Sequence, residues 1–458
     1  MTEYRIVDPT TNALVRSYPA QDDSEIERAV TAAADAFASW RRRPIAERAD
    51  AALAVSREFR KRREDLAAII TREMGKTTPE ALGEVDLSAA IFAYYAEHGP
   101  TFAADRQLDI RGGGEACVRS EPLGALLGIM PWNYPYYQVA RFAAPNLVLG
   151  NTILLKHAPN CPESAQAIED IMTAAGLPAG CYVNVRADHD QAARIIEDPR
   201  VQGVSLTGSE RAGRAVGEIA GRHLKKYVLE LGGSDPFIVL PDADLDAAVD
   251  AAVEGRMGNA GQACTSSKRF IVTDAVHDRF LAAFTEAVAA LTVGHPSHSG
   301  VAFGPLSSEE AARTVISQVA DAVEQGATAV TGGARIARPG AFVEPTILTG
   351  VTPGMRAYHE EIFGPVAVVH RVADAEEAIR LANDTPYGLG SVVFSRDIAA
   401  AKAVADALDV GMASINGPSG TQEDLPFGGV KRSGVGRELG EYGMSEFVNR
   451  KVIRVHPA

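Results

Sequence analysis

Residues 125–130 read Ala-Leu-Leu-Gly-Ile-Met, and residues 137–149 read Tyr-Gln-Val-Ala-Arg-Phe-Ala-Ala-Pro-Asn-Leu-Val-Leu. The first run is short and apolar, as a buried strand is; the second is long enough for a helix. The pair then recurs. Residues 152–156 precede 162–175, 182–185 precede 191–196, 204–206 precede 210–222, and 226–231 closes the series. Strand and helix in alternation predict βαβ units around a parallel sheet, with ligands bound beyond the carboxyl ends of the strands. A second alternating stretch begins near Pro236. It has strand-like 237–240, 268–272, 366–370, 390–394 and 411–415, and long helices over 274–291 and 307–325. Two α/β domains meeting around residues 231–236 are therefore expected.

The first hundred residues read mainly as helices, with Ile26, Val30, Ala33, Phe37 and Trp40 on one face. Pro44 suits a first helical position, followed by a charged surface helix over 45–63. Two weaker β segments, 107–121 and 446–455, have no obvious place in a core. Gly112, Gly113 and Gly114 can turn the first into a hairpin, and pairing with another subunit is a use for both.

The chain has 458 residues, 46% hydrophobic and 23% charged, with a net charge of −14. That length suggests two or three domains. The acidic balance disfavours nucleic-acid and anionic-membrane surfaces, which need clustered Lys and Arg. No apolar run approaches the roughly 18 residues of a membrane helix, and no signal-peptide pattern follows Met1. The four cysteines, Cys117, Cys161, Cys181 and Cys264, lack metal-ligand spacing. They read as reduced thiols of a cytoplasmic protein, and no metal is expected.

Four residues stand out chemically. Cys264 lies among small residues, Gly258-Asn259-Ala260-Gly261-Gln262-Ala263-Cys264, which allow a planar substrate to approach a thiol. Glu230 ends an apolar strand before Gly232-Gly233, where burial would raise its pKa and prepare a general base. The side-chain amide of Asn133, in Pro131-Trp132-Asn133, offers donors to an oxyanion. Lys156 ends a strand at the edge where a ribose or phosphate binds. Thr207-Gly208-Ser209 runs from a strand into a helix whose first amides suit a pyrophosphate. Taken singly, each also has an ordinary reading: a buried structural thiol, a solvated strand-end carboxylate, a turn residue, a surface lysine, a helix cap.

Together and in order, these segments resemble the aldehyde dehydrogenase superfamily. The resemblance is carried by Pro131-Trp132-Asn133, Lys156, Thr207-Gly208-Ser209, Glu230-Leu231-Gly232-Gly233 and Gly261-Gln262-x-Cys264. Glu361-Ile362-Phe363-Gly364-Pro365 and Pro426-Phe427-Gly428-Gly429-x-Lys431 complete it. Within that superfamily the chain looks most like the bacterial succinic semialdehyde dehydrogenases, in Lys156-His157-Ala158-Pro159-Asn160, in residues 229–237 and in residues 431–438.

The resemblance implies two doubly wound α/β domains: a Rossmann-like cofactor domain (residues 1–106 and 125–231) and a catalytic domain (232–417). Residues 107–124 and 440–458 would form a small β oligomerisation element, connected through 418–439. It implies that Cys264 attacks the aldehyde, Asn133 holds the oxyanion and Glu230 activates water. Pro131, Trp132, Leu231, Thr207, Gly208, Ser209, Glu361 and Phe363 would line the cofactor site, with Lys156 at the adenine ribose. Pro159 stands where many NAD-preferring relatives have an acid, so NADP is slightly favoured over NAD, with His157 a second cation for the 2′-phosphate. Arg141 would bind a substrate carboxylate, helped by Ser266, Ser419 and Phe427. Ser266 also replaces the second cysteine of some relatives, so a local redox disulfide is not expected.

A homodimer or homotetramer acting on a small aldehyde follows, without nucleic-acid or membrane partners. The alternatives are a dehydrogenase for another aliphatic or aromatic aldehyde, with Tyr136, Tyr137 and Phe427 lining an apolar pocket, and a catalytically silent binding or structural paralogue. An acylating, coenzyme A-dependent enzyme fits less well, because Glu230 supplies the water-activating base.

Overall fold

A computed structural model describes residues 3–457. The strand Ala125–Met130 sits in the middle of a six-stranded sheet whose order is Gly434–Val435, Lys226–Glu230, Val201–Thr207, Ala125–Met130, Thr152–His157, Tyr182–Asn184. All neighbours are parallel except the short Gly434–Val435, which pairs antiparallel with the end of Lys226–Glu230. Counting the parallel strands in chain order, the first lies between the second and the fourth, so the winding reverses beside Ala125–Met130. In an open α/β sheet the crevice at that reversal binds ligands. The segments entering it are Pro131–Asn133, after Met130, and Gly208–Ser209, after Thr207.

The sequence explains why this sheet is internal. All six residues of Thr152–His157 are buried, as a parallel strand covered on both faces requires. The helix Tyr137–Leu149 is buried at every position and packs against the long helix Thr78–Phe102. A helix apolar nearly all round has nowhere else to go. Its few polar members, among them Gln138 and Arg141, are thereby carried inside.

A second sheet has seven strands in the order Thr328–Thr331, Thr346–Thr349, Val366–Val372, Ser267–Thr273, Asp235–Val239, Val392–Phe394, Ser414–Ile415. Its pairs are parallel apart from the outermost Thr328–Thr331. Phe237, Phe270, Phe280, Phe284 and Phe394 stack through its core.

Two expectations change, in the N-terminal region and at Pro44, and the two weak β segments are found paired. The N-terminal region is not wholly helical: Tyr4–Asp8 and Ala13–Tyr18 form an antiparallel hairpin, turned at Asn12 with φ 61°. Tyr4 and Ile6 alternate inward, a two-residue period too short to stand out beside the helices. Pro44 is the N-cap, not the first helical residue. The helix it opens, Ile45–Lys61, breaks at Arg62 and buries Ala49, Ala52, Val55 and Phe59, so it is half core. The two weak β segments find partners within the chain. Val448–Val455 pairs with Glu115–Pro122, and that strand with Arg106–Leu108, in a three-stranded antiparallel sheet. Residues Gly440–Ser445 are helical and pack on Tyr137–Leu149 rather than joining that sheet. No helix among the described residues is long and apolar enough to cross a membrane.

Candidate active site

Cys264 follows a turn in which three successive residues adopt the left-handed conformation: Asn259 (φ 52°), Ala260 (φ 53°) and Gly261 (φ 70°). Non-glycine residues there cost about 1–3 kcal/mol each unless neighbours impose the conformation. Here they do. Glu80 Oε1 accepts from Asn259 N at 2.6 Å, and Asn259 Nδ2 donates to the carbonyls of Asn133 (3.0 Å) and Gln262 (3.2 Å). Gln262 Nε2 returns a bond to Asn259 O at 3.1 Å, and its Oε1 accepts from Ser307 N at 2.9 Å. The buried Arg256 guanidinium donates to the carbonyls of Gly261, Ile362 and Gly364, tying this turn to the segment that carries Glu361 and Phe363.

Asn133 is locked against the same turn. Gln138 Nε2 donates to its Oδ1 at 3.1 Å, which fixes the amide so that Nδ2 faces the nucleophile turn, where it donates to Gln262 O at 3.0 Å. An amide NH₂ has two donors, so one remains for an oxyanion. The backbone is anchored from behind. Lys76 Nζ donates to Asn133 O at 2.9 Å and to Glu84, and stands 3.6 Å from the Tyr134 ring centroid, while Glu84 Oε1 accepts from the main-chain N–H of Tyr136 and Tyr137. Neither the Lys76 nor the Glu84 side chain has solvent exposure. Glu84→Ala strands the Lys76 ammonium and should cost about 3–5 kcal/mol, measured by denaturant unfolding. A loss below about 1 kcal/mol would show that the pair does not hold this loop.

Glu230 is 2% exposed and neither carboxylate oxygen has a partner among the described residues. Burial pushes its pKa well above the usual carboxylate value, with the Arg141 charge opposing. A Cβ at Gly428 would sit 2.6 Å from Glu230 Oε1, so only glycine leaves room there. Burial likewise pushes the Cys264 thiol up to about 12, opposed by Arg141 and Lys268.

Two hollows meet at Cys264, and a third, larger one adjoins the first. A pocket of about 380 Å³ is lined by Pro131, Trp132, Asn133, Thr207, Gly208, Ser209, Glu230, Leu231, Cys264, Glu361 and Phe363. It opens past the edge-to-face pair Trp132–Phe363 (centroids 5.7 Å apart) into a groove of about 1000 Å³ that also touches Pro159 and Asn160. On the far side of Cys264 lies a pocket of about 220 Å³ walled by Tyr134, Tyr137 and Phe427, with the hydroxyls of Thr265, Ser419 and Thr421. Cys264 lines both smaller pockets.

The larger two suit a dinucleotide. Ser209 lines both and caps the helix Glu210–Arg222, its side chain accepting from Ala212 N at 3.3 Å, and a helix N-terminus there suits an anion. Gly213 admits Leu231, since a Cβ there would lie 2.6 Å from that side chain. Lys156 is 5% exposed and its pKa is pushed down to about 8 by burial, with Asp188 opposing; it lines neither hollow itself, and the nearby Pro159 and Asn160 line the larger one.

Three sequence-predicted residues sit elsewhere than expected. His157 is no second cation: its Nε2 meets Pro135 O at 2.9 Å, its Nδ1 accepts from Ala158 N at 2.8 Å, and burial pushes it down to about 4, so the ring is neutral and occupied. Ser266 is buried behind the nucleophile and lines neither pocket; its carbonyl accepts from Lys268. Arg141 lies behind the pocket wall. Its guanidinium pairs with Glu438, donates to Tyr137 Oη (3.0 Å) and Thr207 Oγ1 (3.1 Å), and stands 4.3 Å from the Phe427 ring centroid. Sequence reasoning missed Lys76, Glu84, Glu80, Arg256 and Lys268. Only Glu80 had a local signal, the capping box Thr77-x-x-Glu80.

The profile of the Aldehyde dehydrogenase family matches residues 1–453. The chain belongs to the aldehyde dehydrogenase family. It is 52% identical over 454 residues to "Succinate-semialdehyde dehydrogenase [NADP(+)]" of Deinococcus radiodurans, covering 99% of this chain and 95% of that one. It is 44% identical over 449 residues to "Succinate-semialdehyde dehydrogenase [NADP(+)] 1" of Mycobacterium tuberculosis strain H37Rv, covering 98% of each. The crystal structure of succinic semialdehyde dehydrogenase from Streptococcus pyogenes in complex with NADP+ superposes with a TM-score of 0.97 at 42% identity, covering 99% of this chain and 100% of that one. In this aldehyde dehydrogenase, then, the paired α/β sheets are the family's own architecture.

Proposed function

We propose that the protein oxidises succinic semialdehyde to the dicarboxylic acid through a thioester on Cys264, with NADP+ the preferred cofactor and NAD+ the lesser one. The observation that carries this reading is the position of Cys264 between a dinucleotide-sized cleft and a small hydroxyl-lined pocket, with the unpartnered Glu230 carboxylate in the cleft beside it. The Cys264 thiolate attacks the aldehyde carbon, and the oxyanion is held by the free Asn133 amide donor and the Cys264 N–H. A dinucleotide held in the cleft would supply the hydride acceptor, and loss of the hydride from the hemithioacetal would leave a thioester on Cys264. Glu230 then takes a proton from water, which attacks the thioester and frees the thiol.

Pro131, Trp132, Thr207, Gly208, Ser209 and Leu231 would hold the cofactor, with Glu361 and Phe363 at its nicotinamide end and Lys156 at the adenine ribose. Pro159 puts no carboxylate against a 2′-phosphate, and the similar succinate-semialdehyde dehydrogenases of Deinococcus radiodurans and Mycobacterium tuberculosis are named for NADP+. The substrate carboxylate would meet Ser419, Thr265, Thr421 and Tyr137, with Phe427 packing on the chain. Tyr137 Oη already accepts from Arg141, so its own proton is available to donate, and the Arg141 charge acts through it. Arg141 thus keeps its part in carboxylate recognition from the second row, because Tyr137 and Phe427, which line the pocket, stand against it and it does not line the pocket itself. The exposed edge of Val448–Val455, with Val452 63% and Val455 58% exposed, suits a homodimer or homotetramer. The cysteines stand unpaired, in keeping with a reducing cytoplasm.

A steady-state panel tests this. Succinic semialdehyde with NADP+ should give the highest kcat/KM, and butyraldehyde a lower one. A kcat/KM for NAD+ more than about tenfold above that for NADP+, a gap of roughly 1.4 kcal/mol, would overturn the cofactor preference. Tyr137→Phe should raise KM for succinic semialdehyde about tenfold, the loss of one charge-assisted hydrogen bond, and leave butyraldehyde within about twofold. Equal effects on both would remove Tyr137 from carboxylate recognition.

A further inference from the structure

Lys268 is the second residue of the strand Ser267–Thr273 and is 3% exposed. Its ammonium donates to the carbonyls of Cys264 (2.8 Å), Ala263 (3.1 Å) and Ser266 (3.2 Å), and stands 3.1 Å from Glu361 Oε1. An ammonium has three protons, so these four acceptors compete. Glu361 is itself shared: Oε1 also accepts from Gly233 N at 3.1 Å, and Oε2 lies against Gly232, where a Cβ would come within 2.3 Å. One buried cation thus joins the carboxylate on the cofactor wall to the main chain of the nucleophile.

We propose that Lys268 is a positioning residue that couples occupancy of the cofactor cleft to the reactivity of Cys264, by exchanging hydrogen bonds between Glu361 and the Cys264 carbonyl. A ribose hydroxyl that donates to Glu361 weakens its hold on the ammonium. The ammonium then turns toward the carbonyls of Ala263, Cys264 and Ser266, drawing positive charge onto the turn that bears the thiol. Lys268 also lies in the field of the buried Asp235, whose carboxyl burial pushes up to about 7, with the Lys268 charge opposing. The other groups facing the Cys264 thiol are Arg141, Glu230, Glu361, Tyr134 and Tyr137. Arg141 is paired with Glu438, and Glu230 has no hydrogen-bond partner among the described residues, so neither has a link there to Glu361 by which to transmit its state. The coupling is reciprocal: ionising the thiol must change cofactor affinity by the same factor.

This inference rests on the reading that Glu361 holds the cofactor's nicotinamide-side ribose, and the test separates the two. The probe is 2′-phospho-ADP-ribose, the cofactor without its charged ring, so that any change at the thiol comes through the protein. Iodoacetamide alkylation of Cys264 is followed against pH, with and without the probe, alongside the probe's Kd. In the wild type the probe should lower the alkylation midpoint enough to raise the thiolate at fixed pH about threefold or more, a shift of roughly half a pH unit. Lys268→Met and Lys268→Gln should bind the probe within about tenfold of the wild type but lose the midpoint shift, and Lys268→Arg should restore part of it. A shift that persists in whichever neutral variant folds, or none in the wild type, overturns the proposal. Unchanged probe affinity in Glu361→Gln instead overturns the assignment of Glu361 to the ribose.

Discussion

Cys264→Ala should lower kcat for every aldehyde by on the order of 10⁵- to 10⁶-fold, because it removes the atom that carries the acyl group. The fold should survive. The residue is partly exposed, and the turn that bears it is held by main-chain and neighbouring bonds from Glu80, Asn259, Gln262, Arg256 and Lys268, none of which uses the thiol. Cofactor affinity should stay within a few-fold, since Lys156, Ser209 and Glu361 remain in place. Residual turnover above about one per cent would mean that another nucleophile operates. Cys161 is a poor substitute, being fully buried with its thiol pKa raised well above the usual value by that burial.

Glu230→Gln should separate the two halves of the reaction. Acylation of Cys264 and hydride transfer do not need a base at residue 230, so one equivalent of reduced cofactor should appear in a burst. Thioester hydrolysis should then be slower by about 10²- to 10⁴-fold, the usual contribution of a positioned general base. The pH dependence has a definite sign. The ionised carboxylate is the base, and burial raises its pKa, so wild-type hydrolysis should climb with pH through that raised midpoint, and the climb should vanish in Glu230→Gln. Stability should run the other way. A carboxyl whose folded pKa lies above its unfolded value binds more protons when folded, so wild-type stability is lost as pH rises from the ordinary carboxylate value toward the raised one. Relative to the wild type, Glu230→Gln should therefore gain stability over that range. A burst-free variant, or one with an unchanged pH profile, would place the base elsewhere.

The fold was readable where burial made the pattern unambiguous. Ala125–Met130 and Tyr137–Leu149 have no exposed residue, so their apolar runs mark both element type and extent. The hairpin Tyr4–Asp8 with Ala13–Tyr18 escaped because its second strand is mostly exposed and carries no alternation. At the site, Cys264, Glu230 and Asn133 were legible through their ordered motifs. The structure adds that Asn133 is set by Gln138 and by a carbonyl anchored to Lys76. That anchoring comes from residues 57 positions apart, a spacing no local pattern reveals. Arg141 shows the opposite difficulty. Its identity and helix were evident, but the sequence could not indicate that Glu438, 297 positions later (438 − 141), would pair with it. His157 reads as a cation until the carbonyl of Pro135 and the amide of Ala158 fill both ring nitrogens.

The most direct test is intact-protein and peptide mass spectrometry of Glu230→Gln, quenched after one turnover with succinic semialdehyde and NADP+. The expected result is a single succinyl adduct per chain, mapped to Cys264 and absent when NADP+ is omitted. Reduced cofactor formed without any adduct at Cys264, or an adduct on Cys117, Cys161 or Cys181 instead, would contradict the thioester route through Cys264.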